Sequence, residues 1–130
     1  MDARKYISEM TGTFALVFCG TGSIVINQES GGAIGHLGIA ITFGLIVAAM
    51  IYALGDISGA HLNPAVTLAF FVAKKFPAKH LVPYIINQFL GAFAASATLK
   101  LLFPHNELLG ATMPAGTPMQ SFVLELILSF

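Results

Sequence analysis

Ser58-Gly59-Ala60-His61-Leu62-Asn63-Pro64-Ala65-Val66-Thr67 sets turn and helix-start chemistry inside a chain otherwise suited to lipid. Of its 130 residues, 56% are hydrophobic and 9% charged, against roughly 25% charged in soluble domains. The few charges leave two long uncharged runs on the N-terminal side of the decapeptide, Met10 to Gln28 and Ser30 to Gly55. Each exceeds the roughly 18 residues that mark a transmembrane helix. A third apolar stretch follows the decapeptide, with Lys100 placed late enough to snorkel to an interface. The chain is therefore predicted to be an all-α integral membrane protein with spans at about 7–27, 37–55 and 81–103. A further apolar segment starts at Pro118 and stops at Phe130. Its dozen or so residues make roughly 18 Å of helix, too little for a hydrocarbon core of roughly 30 Å. Residues 118–130 are thus expected to be a truncated span of an incomplete chain.

Several function classes fall away. Zero net charge and the lack of a basic run argue against a nucleic-acid partner. The single cysteine, Cys19, permits no intrachain disulfide and reads as a small buried apolar residue. His36 and His105 are expected in extracellular connections and His80 near the cytoplasmic face, all solvated, with no pair at metal-ligand spacing. No metal or cofactor is expected. Nor is an enzyme: Ser58 is not in a G-x-S-x-G elbow, and H-E-x-x-H and phosphate-loop patterns are missing. The first apolar run is too long for a secretory signal, and Glu9 interrupts its start.

Arg4 and Lys5 precede the first span, and Lys74, Lys75 and Lys79 precede the third. With all five inside, the positive-inside rule puts the N-terminus in the cytoplasm. The segment from Asn63 to Phe71 is then too short to cross, yet both its flanks face the same side. A re-entrant half-helix over about 63–72 resolves this. Irregular backbone at membrane depth must be buried in protein or line a watery cavity. Asn63 is a favoured N-cap, and Pro64 at the first helical position lacks only an N–H that would be orphaned anyway. The helix N-terminus carries roughly half a positive charge and would repel cations at mid-membrane. Asn-Pro alone reads equally well as an interfacial turn before a short surface helix.

The decapeptide resembles the first Asn-Pro-Ala signature of the aquaporin, or major intrinsic protein, family. Glu9-Met10-Thr11-Gly12-Thr13-Phe14, Ile39-Ala40-Ile41-Thr42-Phe43-Gly44-Leu45 and Asn87-Gln88-Phe89-Leu90-Gly91-Ala92 extend the resemblance across the chain. Pro114-Ala115-Gly116-Thr117-Pro118, followed by Gln120-Ser121-Phe122-Val123-Leu124-Glu125, is most similar to the nodulin-26-like branch and its bacterial relatives. The resemblance implies half of an inverted-repeat channel, with 1–117 as the first repeat and 118–130 as the opening of the second. The spacing of Glu9 from Phe14 matches that of Glu125 from Phe130, a faint echo of such a repeat.

The resemblance also implies roles. Asn63, with Pro64 and Ala65, would present an amide donor to the passing molecule. Gly59, Ala60 and His61 would supply a ladder of backbone carbonyl acceptors. Phe43 would stand at the aromatic constriction, with Val47 one turn on, and a Phe there resembles the water-selective members rather than the Trp or small residue of the nodulin-like branch. Glu9 would brace the re-entrant loop from inside, although its residues alone also allow an acid at the cytoplasmic start of a helix. Gln88 would do the same from the third span. Asp56 departs from the His usual before the signature, so pH sensing attributed to that position is not carried over. The implied function is passive passage of water and small uncharged solutes such as glycerol, in a homotetramer in a plasma or bacterial inner membrane. Two other readings fit half a pore: a non-conducting assembly or regulatory partner of a full channel, and half of a secondary transporter. The transporter is disfavoured by the lack of a buried ion-binding carboxylate beyond Glu9. Ala40, Gly44 and Ala48, and likewise Gly91 and Ala95, form small-xxx-small rows that permit close helix crossing.

Overall fold

A computed structural model describes residues 2–128. It contains five α-helices: α1 (Asp2–Glu29), α2 (Gly35–Ser58), α3 (Pro64–Val72), α4 (Ala78–Leu102) and α5 (Pro118–Leu128). Three of them, α1, α2 and α4, are long and apolar enough to cross a membrane. Each begins two to five residues before the apolar run read from the sequence, and α1 and α2 also end two or three residues beyond it. Charges such as Arg4 and Asp56 mark where lipid gives way to water, but they do not stop the backbone ladder, which continues into the interface.

The bundle is organised on α1, which packs against both α2 and α4, while α3 packs against α4. The centrality of α1 follows from its small residues, since Gly12, Gly20 and Gly22 are all buried. The Phe43 ring of α2 lies on Gly20, with ring atoms 2.3–2.8 Å from where a Cβ would sit. Leu54 from α2 and Leu62 from the following loop fill the space beside Gly12 in the same way. On the other side, Gly91 of α4 lies so close to α1 that an added Cβ would fall 2.2 Å from the Met10 carbonyl oxygen. Ala95, one turn on, is fully buried.

The Gly91 and Ala95 row therefore forms a close crossing. The Ala40, Gly44 and Ala48 row does not: all three are exposed and Gly44 faces open space. Large residues of α2 set into glycines of α1 determine how α2 is rotated, and this turns its small row aside. A second expectation fails at His80, which is only 5% exposed. It lies in the first turn of α4, packed toward α1, where its Nδ1 is 2.8 Å from the Tyr6 hydroxyl. Its Nε2 is 3.8 Å from the Asp2 carboxylate. His105 lies in the connection after α4, whereas His36, expected in a connection, lies in the first turn of α2; both are exposed.

Lys100, in the last turn of α4, donates from Nζ to the carbonyls of Pro104 and Asn106 and so satisfies chain leaving the helix. Asn106 is buried and donates to Gln28 Oε1 and Glu29 Oε1, tying this connection to the end of α1. Helix α5 packs against none of the other described helices, and its side chains are exposed apart from the half-buried Ser121. Phe130, half of the repeat echo, lies outside the described residues.

Candidate functional site

The site is assembled where α2 ends, the chain turns, and α3 starts. Gly59 closes α2 with φ 86°, its N–H donating to Gly55 O. Ala60 and Leu62 also have positive φ, 45° and 53°. For residues with a Cβ such backbone costs about 1–2 kcal/mol each. It persists because the surroundings hold it.

The main restraint is Glu9, on the buried face of α1 and 0% exposed. Its Oε1 accepts from Ser58 Oγ at 2.7 Å and from the His61 N–H at 3.0 Å. Its Oε2 accepts from the Leu62 N–H at 2.7 Å and from Gln88 Nε2 at 2.8 Å. Four donors on two oxygens fill the acceptor capacity of a carboxylate, the arrangement that makes a buried charge tolerable. The neighbouring α3 N-terminus adds favourable partial positive charge.

Around this centre the loop is pinned on every side. The Ala60 N–H donates to Ser58 Oγ, the Thr13 hydroxyl to Leu62 O, and the Tyr84 hydroxyl to Ser58 O. The Leu62 side chain, 4% exposed, plugs the space over Gly12. Thr67 of α3 is fully buried. Its Oγ1 donates to Asn63 O and accepts from Gln88 Nε2 at 2.9 Å, and His61 Nδ1 is 3.1 Å away. The His61 ring is held among Phe70, Phe76 and Tyr84, stacked on Phe70 at 4.8 Å between centroids.

These bonds sort the polar groups by direction. The N–H groups of Ala60, His61 and Leu62 all turn into the protein. The carbonyls of Gly59, Ala60 and His61 have no partner among the described residues. Asn63 is exposed, in extended conformation, and its Oδ1 accepts from the Ala65 N–H at 2.7 Å as the N-cap of α3. Its oxygen is thereby committed, which fixes the side chain and leaves the NH2 group without a partner among the described residues. Pro64 occupies the first helical position, and Ala65 is exposed beside it.

Phe43 and Val47 are half-buried one turn apart on α2. Phe43 lines a hollow of about 580 Å³ together with Thr21, Ile24, His36, Gly110 and Ala111. No group of three or more His, Cys, Asp or Glu that could hold a metal occurs among the described residues. Sequence reasoning missed Ser58, Thr13, Thr67, Tyr84 and the Leu62 plug. Serine and threonine within an apolar helix were the available signal, since there a hydroxyl has to find a partner.

Comparison with known proteins identifies the family. The family model described as major intrinsic protein matches residues 1–130. Aquaporin NIP1-1 of Oryza sativa subsp. japonica is 48% identical over 128 residues, covering 98% of this chain and 45% of the relative. Nodulin-26 of Glycine max is 42% identical over 128 residues, covering 98% and 47%. Putative aquaporin NIP4-1 of Arabidopsis thaliana is 47% identical over 128 residues, covering 98% and 45%. The chain thus spans slightly less than half the length of the curated relatives it matches. Match over the whole chain and the all-helical fold agree: the chain belongs to the major intrinsic protein family.

Proposed function

We propose that the chain supplies the first half of a passive membrane channel for water and small uncharged solutes. The observation that carries this reading is the division of polar groups over residues 59–63, with the N–H groups of Ala60, His61 and Leu62 turned inward and three carbonyls plus one amide without a partner among the described residues. An unpartnered polar group in lipid costs several kcal/mol, so backbone of this kind needs further protein or water beside it, and the exposure of Gly59 and Asn63 favours water. A short row of acceptors ending in a fixed donor orients a single file of water. The partial positive charge at the start of α3 disfavours cations at the same point. Phe43 narrows the path, with Val47 below it, while Glu9 and Gln88 hold the loop and never touch the solute.

The orientation that fits has the N-terminus in the cytoplasm of a plasma or bacterial inner membrane, with Arg4, Lys5, Lys74, Lys75 and Lys79 on that side. The complete channel is a homotetramer, and it carries out no chemical conversion. The test is an osmotic step applied to liposomes containing the full channel. Swelling well above bare lipid is expected. Asn63→Asp keeps the N-cap acceptor but removes the NH2 donor, and should slow swelling about tenfold, the equivalent of one oriented hydrogen bond at roughly 1.4 kcal/mol. Swelling at the bare-lipid rate, indifferent to Asn63→Asp, rejects the proposal.

A further inference from the structure

The basic end of the bundle contains a hollow that shares no lining residue with the candidate site. Arg4 and Lys5 from the start of α1 and Asp56 and Ile57 from the end of α2 line a space of about 260 Å³. None of these three charged side chains forms an ion pair among the described residues, where the ion pair present is His80 with Asp2. Two cations and one anion are thus left facing a common space, with a formal charge of +1 (two basic groups less one acidic). The apolar surface next to it lies on one side. Ile7, about one turn into α1 from Arg4, is 57% exposed, and Tyr52, one turn before Asp56 in α2, is 90% exposed.

About one turn into the bundle from the charged rim, the exposed surface is thus aliphatic on α1 and aromatic on α2. A charged rim followed by apolar surface is the order of headgroup and acyl chain in a phospholipid. Tyrosine at such a level is typical of the membrane interface. Asp56 narrows the headgroup. A bare phosphate would meet a carboxylate as well as the two cations, whereas a headgroup with donors beyond its phosphodiester satisfies both, and the +1 formal charge of the lining matches a lipid whose donors are neutral hydroxyls and whose net charge stays at one negative.

We propose that Arg4, Lys5 and Asp56 form a binding site for a monoanionic glycerophospholipid whose headgroup carries hydroxyl donors, of which phosphatidylglycerol is the simplest. The phosphodiester lies between Arg4 and Lys5, the headgroup hydroxyls donate to Asp56, and the acyl chains descend past Ile57, Ile7 and Tyr52. The site is independent of the conduction pathway and stands whether or not the chain conducts.

Native mass spectrometry of the detergent-purified 130-residue chain, mixed with equal amounts of phosphatidylglycerol, phosphatidylethanolamine and phosphatidylcholine, tests the site. Phosphatidylglycerol should be retained about tenfold over phosphatidylcholine, and more than phosphatidylethanolamine. Arg4→Gln with Lys5→Gln should abolish the preference, with helicity by circular dichroism unchanged. Lys100→Gln, at the other end of α4, should retain it. Single Arg4→Gln and Lys5→Gln variants, each with partial loss, serve if the double variant is unfolded. Equal retention of the three lipids overturns the proposal, as does preference for phosphatidylethanolamine or a preference that survives loss of both cations. Displacement of the lipid by millimolar inorganic phosphate would mark a free-phosphate site and overturn it equally.

Discussion

Glu9→Gln is nearly isosteric, and its consequence can be worked from the four bonds the carboxylate accepts. The pairs are Ser58 Oγ with the His61 N–H on one oxygen, and the Leu62 N–H with Gln88 Nε2 on the other. An amide in the same place replaces one acceptor by two donors. If the NH2 takes the first position, the Ser58 hydroxyl can turn to accept, but the His61 N–H is orphaned. In the second position, Gln88 can flip to offer its oxygen, but the Leu62 N–H is orphaned and the Gln88 bond to Thr67 is lost. Either choice leaves a buried backbone donor unsatisfied, at about 1–3 kcal/mol, and turns the remaining charge-assisted bonds into neutral ones at about 1 kcal/mol each. The total is roughly 3–5 kcal/mol, concentrated on a loop already carrying two strained residues. Glu9→Gln should therefore lower unfolding stability in bilayer or bicelle by that amount, and conductance of the full channel should fall with it as the carbonyl row loses order. A stability change under 1 kcal/mol with full conductance would refute the account of Glu9 as a fourfold acceptor.

Other substitutions probe the remaining contacts. Gly91→Ala sets a Cβ 2.2 Å from the Met10 carbonyl and forces α1 and α4 apart, so a loss of about 1–3 kcal/mol or more is expected in the same unfolding assay, while Gly44→Ala, which meets nothing within 4 Å, should leave stability unchanged. Thr67→Val removes the hydroxyl shared by Gln88, Asn63 and His61 and should cost about 1–3 kcal/mol, with a smaller effect refuting its place at the centre of that network. Phe43→Ala widens the hollow beside Gly20 and should raise the ratio of glycerol to water flux in the full channel, and an unchanged ratio would remove Phe43 from the selective wall.

Hydropathy was enough to place α1, α2 and α4, because lipid admits only backbone that satisfies itself. The short helix α3 was legible because Asn63-Pro64 starts a helix locally, while its re-entrant placement is a proposal that rests on residues 63–71 being too few to cross a membrane. What local pattern could not supply was partnership across the chain. Glu9 and Leu62 are 53 residues apart, and Glu9 and Gln88 79 apart, so only the resemblance suggested that they meet. His80 was misread for the same reason, since its partner Tyr6 lies 74 residues away on another helix. The small row on α2 carried a valid packing motif but the wrong side, because a motif does not say which face a neighbour occupies. Gln88 keeps one puzzle, a buried Oε1 without a partner among the described residues, for which we have no physical account.

The carbonyl row at Gly59, Ala60 and His61 bears on how such a protein can diversify. On the proposed reading, a wall made of main-chain oxygen offers the same chemical face to every sequence that keeps Gly59 left-handed and His61 in place. Its adjustable parts lie elsewhere, in Glu9, Thr13, Ser58, Tyr84 and the Gly12 socket, which set spacing and tilt from outside the path. On the channel reading proposed above, heritable change in what passes would then arise at side chains that meet the permeant, such as Phe43, and also among residues it never meets, which a survey confined to the lining would overlook.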